Sequence, residues 1–339
     1  MGFLALPPRR WERDSPCWYL LQIMTNRFPS VHSPGDYESL SRNEARLRPG
    51  VDALCDLLGL DAASLRRYPS GSLPVYAVGE SLVLKIYPPF DLPERDTEST
   101  VLGAVETRLP IPTPGVQGIG ELEGWGYLLM DRLHGVGLAE AWPEIPGTER
   151  LRLAEQMGEA LAMLHALRDP RLETVRVDWA GFIAEQRASA VERQRRRGLE
   201  ERWLEGIAEF LESTPLGDPP AESLLHTEIM REHLLVERDG GGWRLSGLFD
   251  FEPAMVGAPE YEFASVGLFF SCGDPALLRR VLLSYGCAEG DLDEAFEQRL
   301  LAYGLLHRYS NLPWFLKRMP PPEAVGALRE LAAVWWGLR

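Results

Sequence analysis

The sequence predicts an α+β chain in two parts, the first rich in strands and the second mostly helical. Three observations carry this. Apolar residues bounded by turn signals, between Val75 and Tyr87, read as a pair of strands. From residue 148 onward, apolar residues recur at the three- and four-residue spacing of helices facing a core. Residues 225–250 interrupt that pattern with apolar strands and polar turns, and the last strand ends on a carboxylate, Asp250. At 339 residues the chain is long enough for one large domain or two lobes.

Taken in order, residues 1–50 read as irregular, punctuated by Pro7, Pro8, Pro29, Pro34 and Pro49, with Trp18-Tyr19-Leu20-Leu21 as a short docking helix or strand. Residues 52–60 are helical through Leu54, Leu57 and Leu58. Pro69-Ser70-Gly71-Ser72 is a turn, 75–78 a strand, Gly79-Glu80 a second turn and 81–87 a strong strand. Helical spacing returns over 94–107, and Pro110, Pro112 and Pro114 form a linker before an apolar strand at 125–133. The clearest helix is 148–167, with Leu151, Leu153, Met157, Leu161 and Leu164 in one stripe. Residues 179–213 are helical and highly charged, and the run Arg193 to Arg197 reads as a solvated face. The pattern stays helical from 260 to the end, broken by Pro320-Pro321-Pro322. The boundaries that follow are an N-terminal extension (1–50), an N-lobe (51–130) and a helical C-lobe (131–339) carrying the catalytic and metal loops. This is the architecture of a two-lobed protein-kinase-like fold.

Composition narrows the class of function. The hydrophobic fraction of 45% is that of an ordinary globular protein. A net charge of −15 argues against a nucleic-acid partner, which needs a basic surface, and suits a cationic small molecule. The four cysteines lack metal-ligand spacing and read as free thiols of a reduced compartment. The N-terminal stretch has no apolar core of a signal peptide, and no apolar run spans a bilayer, so the cytoplasm is expected.

Phosphoryl transfer needs held phosphates, a cation and metal to neutralise charge, and a positioned acceptor oxygen. Lys85 sits among strand apolars in Leu82-Val83-Leu84-Lys85-Ile86-Tyr87 and is either an edge-strand lysine facing solvent or a phosphate contact. Glu98, on the following helix, is its candidate partner. Ser70 lies in a turn that is either an ordinary hairpin or a donor of backbone N–H groups to phosphates. Asp250 delivers hard oxygens of the kind Mg²⁺ takes. Tyr309, Trp314 and Phe315 read as core packing or as an aromatic acceptor site.

The stretch Leu225-His226-Thr227-Glu228-Ile229-Met230-Arg231-Glu232-His233, with Leu248-Phe249-Asp250-Phe251, resembles the catalytic region of aminoglycoside phosphotransferases. That pattern reads His-Gly-Asp, four residues, Asn, then Ile-Asp-Phe/Trp. Here Thr227 stands for Gly, Glu228 for Asp and His233 for Asn. Val256 to Ala264 continues the resemblance to Gly-Asp-Pro-x-Tyr-Asp-Leu-Ala, with Ala258 and Glu262 at the acidic positions. Tyr37-Glu38-Ser39-Leu40 and Leu305-Leu306-His307 look most like hygromycin B phosphotransferases of the actinomycete type.

The resemblance implies a kinase that moves the γ-phosphate of ATP (or GTP), with Mg²⁺, to a hydroxyl of a small molecule such as an aminoglycoside, in antibiotic resistance or self-protection. Within it, Glu228 is the catalytic base and His226, also a catalytic candidate, corresponds to a structural loop histidine. Backbone groups near Asp131 and Leu133 bind adenine between the lobes, and Asp250 and His233 hold the metal. By residue type rather than by the resemblance, Glu260 and Glu262 are the substrate contacts a polycationic acceptor would take, and Tyr309 the one for a nucleoside or aryl group. Thr227, which adds a Cβ where Gly allows unusual angles, implies an altered turn. The alternatives are a nucleotide-binding pseudokinase and a biosynthetic enzyme of the same fold with changed chemistry.

Overall fold

The structure, a computed structural model, describes residues 27–217 and 222–339. The 18–21 segment lies outside the described residues. The chain divides into two compact units: one holds the described residues up to Leu92 together with Ile119–Leu128, the other Pro93–Gly118 and Leu129–Arg339.

The first unit opens with two helices, α1 (Pro34–Leu40) and α2 (Glu44–Leu58), where the prolines predict irregular chain. Pro34 starts α1 behind the N-cap Ser33, whose Oγ accepts from Asp36 N at 3.2 Å; a proline in a first turn loses no helical hydrogen bond. Pro49 lies inside α2, which persists because Leu47, Val51 and Leu54 bury its other face. A five-stranded sheet follows in the order β1-β2-β3-β5-β4, from β1 (Leu65–Arg67), β2 (Val75–Val78), β3 (Leu82–Tyr87), β4 (Val116–Leu122) and β5 (Trp125–Asp131). β2 and β3 pair antiparallel with Val75 opposite Lys85, and Tyr76, Leu84, Ile86 and Tyr87 are buried. β4 is absent from the sequence reading because it alternates half-buried and exposed residues around two glycines and shows no apolar run.

Helix α3 (Leu92–Val105) leads into the second unit. Short elements β6 (Val136–Gly137) and α4 (Leu138–Ala141) precede the long α5 (Gly147–Ala166), then α6 (Trp179–Arg196) and α7 (Glu201–Ser213). The charged 179–213 segment is thus two helices, parted where Gly198 takes φ +81°. Arg193 departs from the solvated face: its Nη2 donates inward to Leu305 O at 3.0 Å. β7 (Ser223–Leu225) pairs with β10 (Met255–Gly257), and β8 (Leu234–Asp239) lies between β6 and β9 (Gly242–Leu248). The unit closes with α8 (Pro259–Ser265), a π-helical turn (Val266–Ser271), α9 (Pro275–Tyr285), α10 (Glu294–Leu306), α11 (Leu312–Arg318) and α12 (Leu328–Trp336). An antiparallel β-sheet lobe and a helical lobe make this an α+β kinase-like fold.

One contact sets how closely α5 and α9 approach. A Cβ on Gly158 would lie 2.3 Å from Val281 O and 2.9 Å from Tyr285 N, both backbone atoms. Gly158→Ala is therefore expected to lower stability by about 1–3 kcal/mol through overpacking. Urea denaturation measures this, and an unchanged midpoint would contradict so close a crossing. Among the described residues no helix is long and apolar enough to cross a membrane.

Candidate active site

The loop after β7 carries the first half of the site, and every end of it is tied down. Thr227 has φ +72°, the left-handed angle a glycine adopts freely and a β-branched residue rarely does. The turn expected to change is instead retained at a cost of about 1–3 kcal/mol. Surrounding groups hold it there. Glu262 Oε2 accepts from His226 N at 2.6 Å and Thr227 N at 3.2 Å. Thr227 Oγ1 donates to Pro253 O at 3.1 Å, and Thr227 O accepts from His307 Nε2 at 2.9 Å.

Glu262 is completely buried, so its carboxylate clamps the loop and does not reach an acceptor, contrary to the substrate-binding role expected of it. Burial works to raise its pKa, but the His165 ring, with Nε2 at 3.8 Å, and the loop N–H groups outweigh it and hold the carboxyl below the ordinary glutamate value. Glu260 is turned aside as well, in a bidentate pair with Arg299 at 2.9 and 3.0 Å.

His226 is structural in this loop and not a catalytic base. It is fully buried, its Nδ1 accepts from Glu228 N at 3.3 Å, and its Nε2 donates to Phe249 O at 3.0 Å. Burial pushes its pKa down to about 4, which keeps it neutral. His307 is likewise buried and lowered to about 4, with Nδ1 accepting from Tyr309 N at 3.3 Å.

Glu228 is half-buried beyond this clamp. Loss of water around the Tyr309 phenol, followed by the charge of Glu228, pushes that phenol up to about 12. Tyr309 and Trp314 are exposed, while Phe315 is core.

Asp250 follows β9 and also takes φ +72°. Its Oδ2 lies 3.0 Å from His233 Nε2, and His233 Nδ1 lies 3.0 Å from Glu228 O. The ring bridges the two. Burial opposes its charge, but Asp250 and then Glu228 outweigh burial and raise the pKa above the ordinary histidine value. Both ring nitrogens of His233 are engaged by the protein, against the expectation that it is a metal ligand. The metal the fold implies fits a different set: ligand atoms of Glu98, Asp250 and Glu252 lie within 4.8 Å of one another. Three carboxylates are the hard oxygen donors that Mg²⁺ takes. Glu98 Oε1 also accepts from Phe251 N at 3.2 Å, which fixes its carboxylate beside the strand end. Glu252 was missed in the sequence, although its spacing of two from Asp250 was the available signal.

Lys85 is buried on β3 with its Nζ 5.5 Å above the Tyr87 ring, and Ser70 is exposed in the turn before β2. Both belong to the first unit. Asp131 has its N–H committed to Gly115 O at 2.9 Å and its Oδ1 accepting from Gln117 at 2.9 Å, so neither group is available to adenine. Leu133 packs against Gly247, where a Cβ would meet Leu133 Cδ1 at 2.8 Å.

Comparison with solved structures reproduces the fold. The GDP complex of wild-type aminoglycoside 2'-phosphotransferase-IIIa aligns with TM-score 0.66 at 17% identity, covering 86% of this chain and 98% of that one. The GDP and kanamycin complex of APH(2")-IIia aligns with TM-score 0.62 at 19% identity, covering 79% and 92%. A thermostable mutant of aminoglycoside phosphotransferase APH(4)-Ia, in ternary complex with ADP and hygromycin B, aligns with TM-score 0.55 at 20% identity, covering 85% and 97%. The expected special closeness to hygromycin B phosphotransferase does not stand out from these values. A search of curated proteins gives no match. A family profile spans the sheet, the catalytic loop and the acidic strand end, matching residues 64–297, and on that match the chain belongs to the phosphotransferase enzyme family.

Proposed function

We propose that the chain is an ATP-dependent (or GTP-dependent) O-phosphotransferase acting on a hydroxyl of a small molecule, with aminoglycosides and related antibiotics the first acceptors to screen. The observation that supports this reading is the His233 bridge, which ties the backbone of Glu228 to the Asp250 carboxylate. Glu228 orients the acceptor hydroxyl and takes its proton. Carrying one methylene more than Asp, it reaches further, and the Glu262 clamp sets where that reach ends. Lys85 contacts the nucleotide's phosphates. Asp250, with Glu252 and Glu98, would hold the Mg²⁺, which supplies neutralisation of the phosphate charge. The His233 ring orients Asp250.

A second reading, a member that binds nucleotide without turnover, is favoured by one observation. The proton His233 directs at Asp250 opposes a cation there. Calorimetric titration with ATP, with Mg²⁺ and then with the metal chelated, tests both. Metal-dependent binding followed by phosphate transfer supports the kinase, and binding without transfer supports the second reading. No binding of ATP or GTP overturns both.

A further inference from the structure

A group of arginines beside the catalytic loop has no part in the chemistry above. Arg231, three residues after Glu228, lays its guanidinium on the Trp142 ring with Cζ 3.6 Å from the centroid. Arg150 of α5 sits on the same indole at 4.9 Å. Both are held by backbone carbonyls: Arg231 Nε donates to Phe270 O at 2.7 Å and Nη2 to Ser271 O at 3.4 Å, and Arg150 Nη2 donates to Trp142 O at 2.8 Å. Arg318, at the end of α11, lies over Trp314 at 5.0 Å.

Among the described residues none of the three has a carboxylate at ion-pair distance. This is unusual in a chain with 50 acidic and 35 basic residues. Arg150 Nε is buried without a hydrogen-bond partner. Burial foremost lowers the pKa of Arg231; Cys272 opposes this, Arg318 and Arg150 add to it, and Glu232 is the carboxylate that counters them. Like charges gathered on one aromatic ring cost free energy unless something negative joins them. Planar guanidinium groups take carboxylate or phosphate through paired, charge-assisted hydrogen bonds.

We propose that Arg231 and Arg150, both stacked on Trp142, form an anion-binding site that receives a carboxylate or phosphate group of the acceptor. This rests on the phosphotransferase reading and narrows its acceptor to a hydroxylated molecule that also carries negative charge. With Glu260 and Glu262 both engaged elsewhere, a purely polycationic acceptor loses the two acidic contacts expected for it. Arg231 and Glu228 share one loop, so an anion held by the first fixes the distance at which a hydroxyl meets the second.

The test is calorimetric titration of the full chain with malonate and, separately, with inorganic phosphate, at constant ionic strength. Wild type, Arg150→Met and Arg231→Met are compared. Saturable binding of either anion is expected, weakened on the order of tenfold in each variant, the worth of one charge-assisted contact. The anion that binds more tightly identifies the group. Arg150 is half-buried on α5 and outside the loop, so its variant leaves the loop in place if replacing Arg231 disturbs it. Absence of saturable binding, or binding equal in wild type and Arg150→Met, overturns the site. ATP titration of the same samples reads the kinase assignment separately. ATP binding without anion binding rejects this site alone, and anion binding without ATP binding rejects the kinase alone.

Discussion

Asp250→Asn is expected to reduce phosphate transfer by at least about a thousandfold while leaving the fold intact. Losing a metal-holding carboxylate forfeits roughly 4 kcal/mol of transition-state charge stabilisation, which is that factor in rate. The choice of Asn matters, because Asp250 has φ +72° and Asn is among the few residues that take this angle readily. An Ala there would mix strain with lost chemistry. Asn also keeps an oxygen facing His233, so the bridge to Glu228 survives. The measurement is Mg²⁺-dependent transfer of labelled γ-phosphate to the acceptor, or to water in its absence, with circular dichroism as the check on folding. A folded variant that keeps more than about a tenth of the activity would remove Asp250 from the mechanism.

Stability is expected to fall steeply between pH 6.5 and pH 4. His226 and His307 have folded-state pKa values lowered to about 4 by burial. In the unfolded chain they titrate near 6.5. Below that pH the unfolded state binds protons that the folded state refuses, so stability is complete above pH 6.5 and is lost as pH falls toward 4. Each ring contributes about 3 kcal/mol over that interval, a large share of the roughly 5–15 kcal/mol typical of a domain. Glu262, lowered in the fold, adds loss in the same direction as it protonates. His233, raised in the fold, acts oppositely: its contribution is present below pH 6.5 and is lost as pH rises through its folded value. Urea denaturation across this range measures the slope. His307→Gln keeps a donor for Thr227 O without the titration and should remove about half of it. A flat profile in wild type would mean that these rings are not buried and neutral.

Elements that announce themselves through local periodicity were legible in the sequence. The stripe of α5 and the strand pair ending at Tyr87 depend on residues next to one another in the chain, and the structure has them within a residue or so of the reading. β4, α1 and the first half of α2 were not legible; only the end of α2, residues 52–58, shows helical spacing. Their formation depends on pairing and burial against distant segments, which overrode glycines in one case and prolines in the other.

The site divides in the same way. Glu228 and Asp250 stand out in the sequence as candidates by type and spacing. What each neighbour does was not legible. Glu262 and Glu228 are both acidic, and only tertiary contacts decide that Glu262 is the one buried as a clamp on the loop. His233 looked like a ligand until both its nitrogens proved occupied.

The clamp on Thr227 also constrains how this loop can change over generations. Glu262 meets two backbone N–H groups at its present length. Shortening it to the Asp of the resembling pattern pulls it back by one methylene, and giving Thr227 back to Gly removes the hydroxyl bonded to Pro253. A glycine at 227 needs less holding at this positive φ, so each change alters what the other is worth and their effects do not add. Positions 227 and 262 act as one coupled pair.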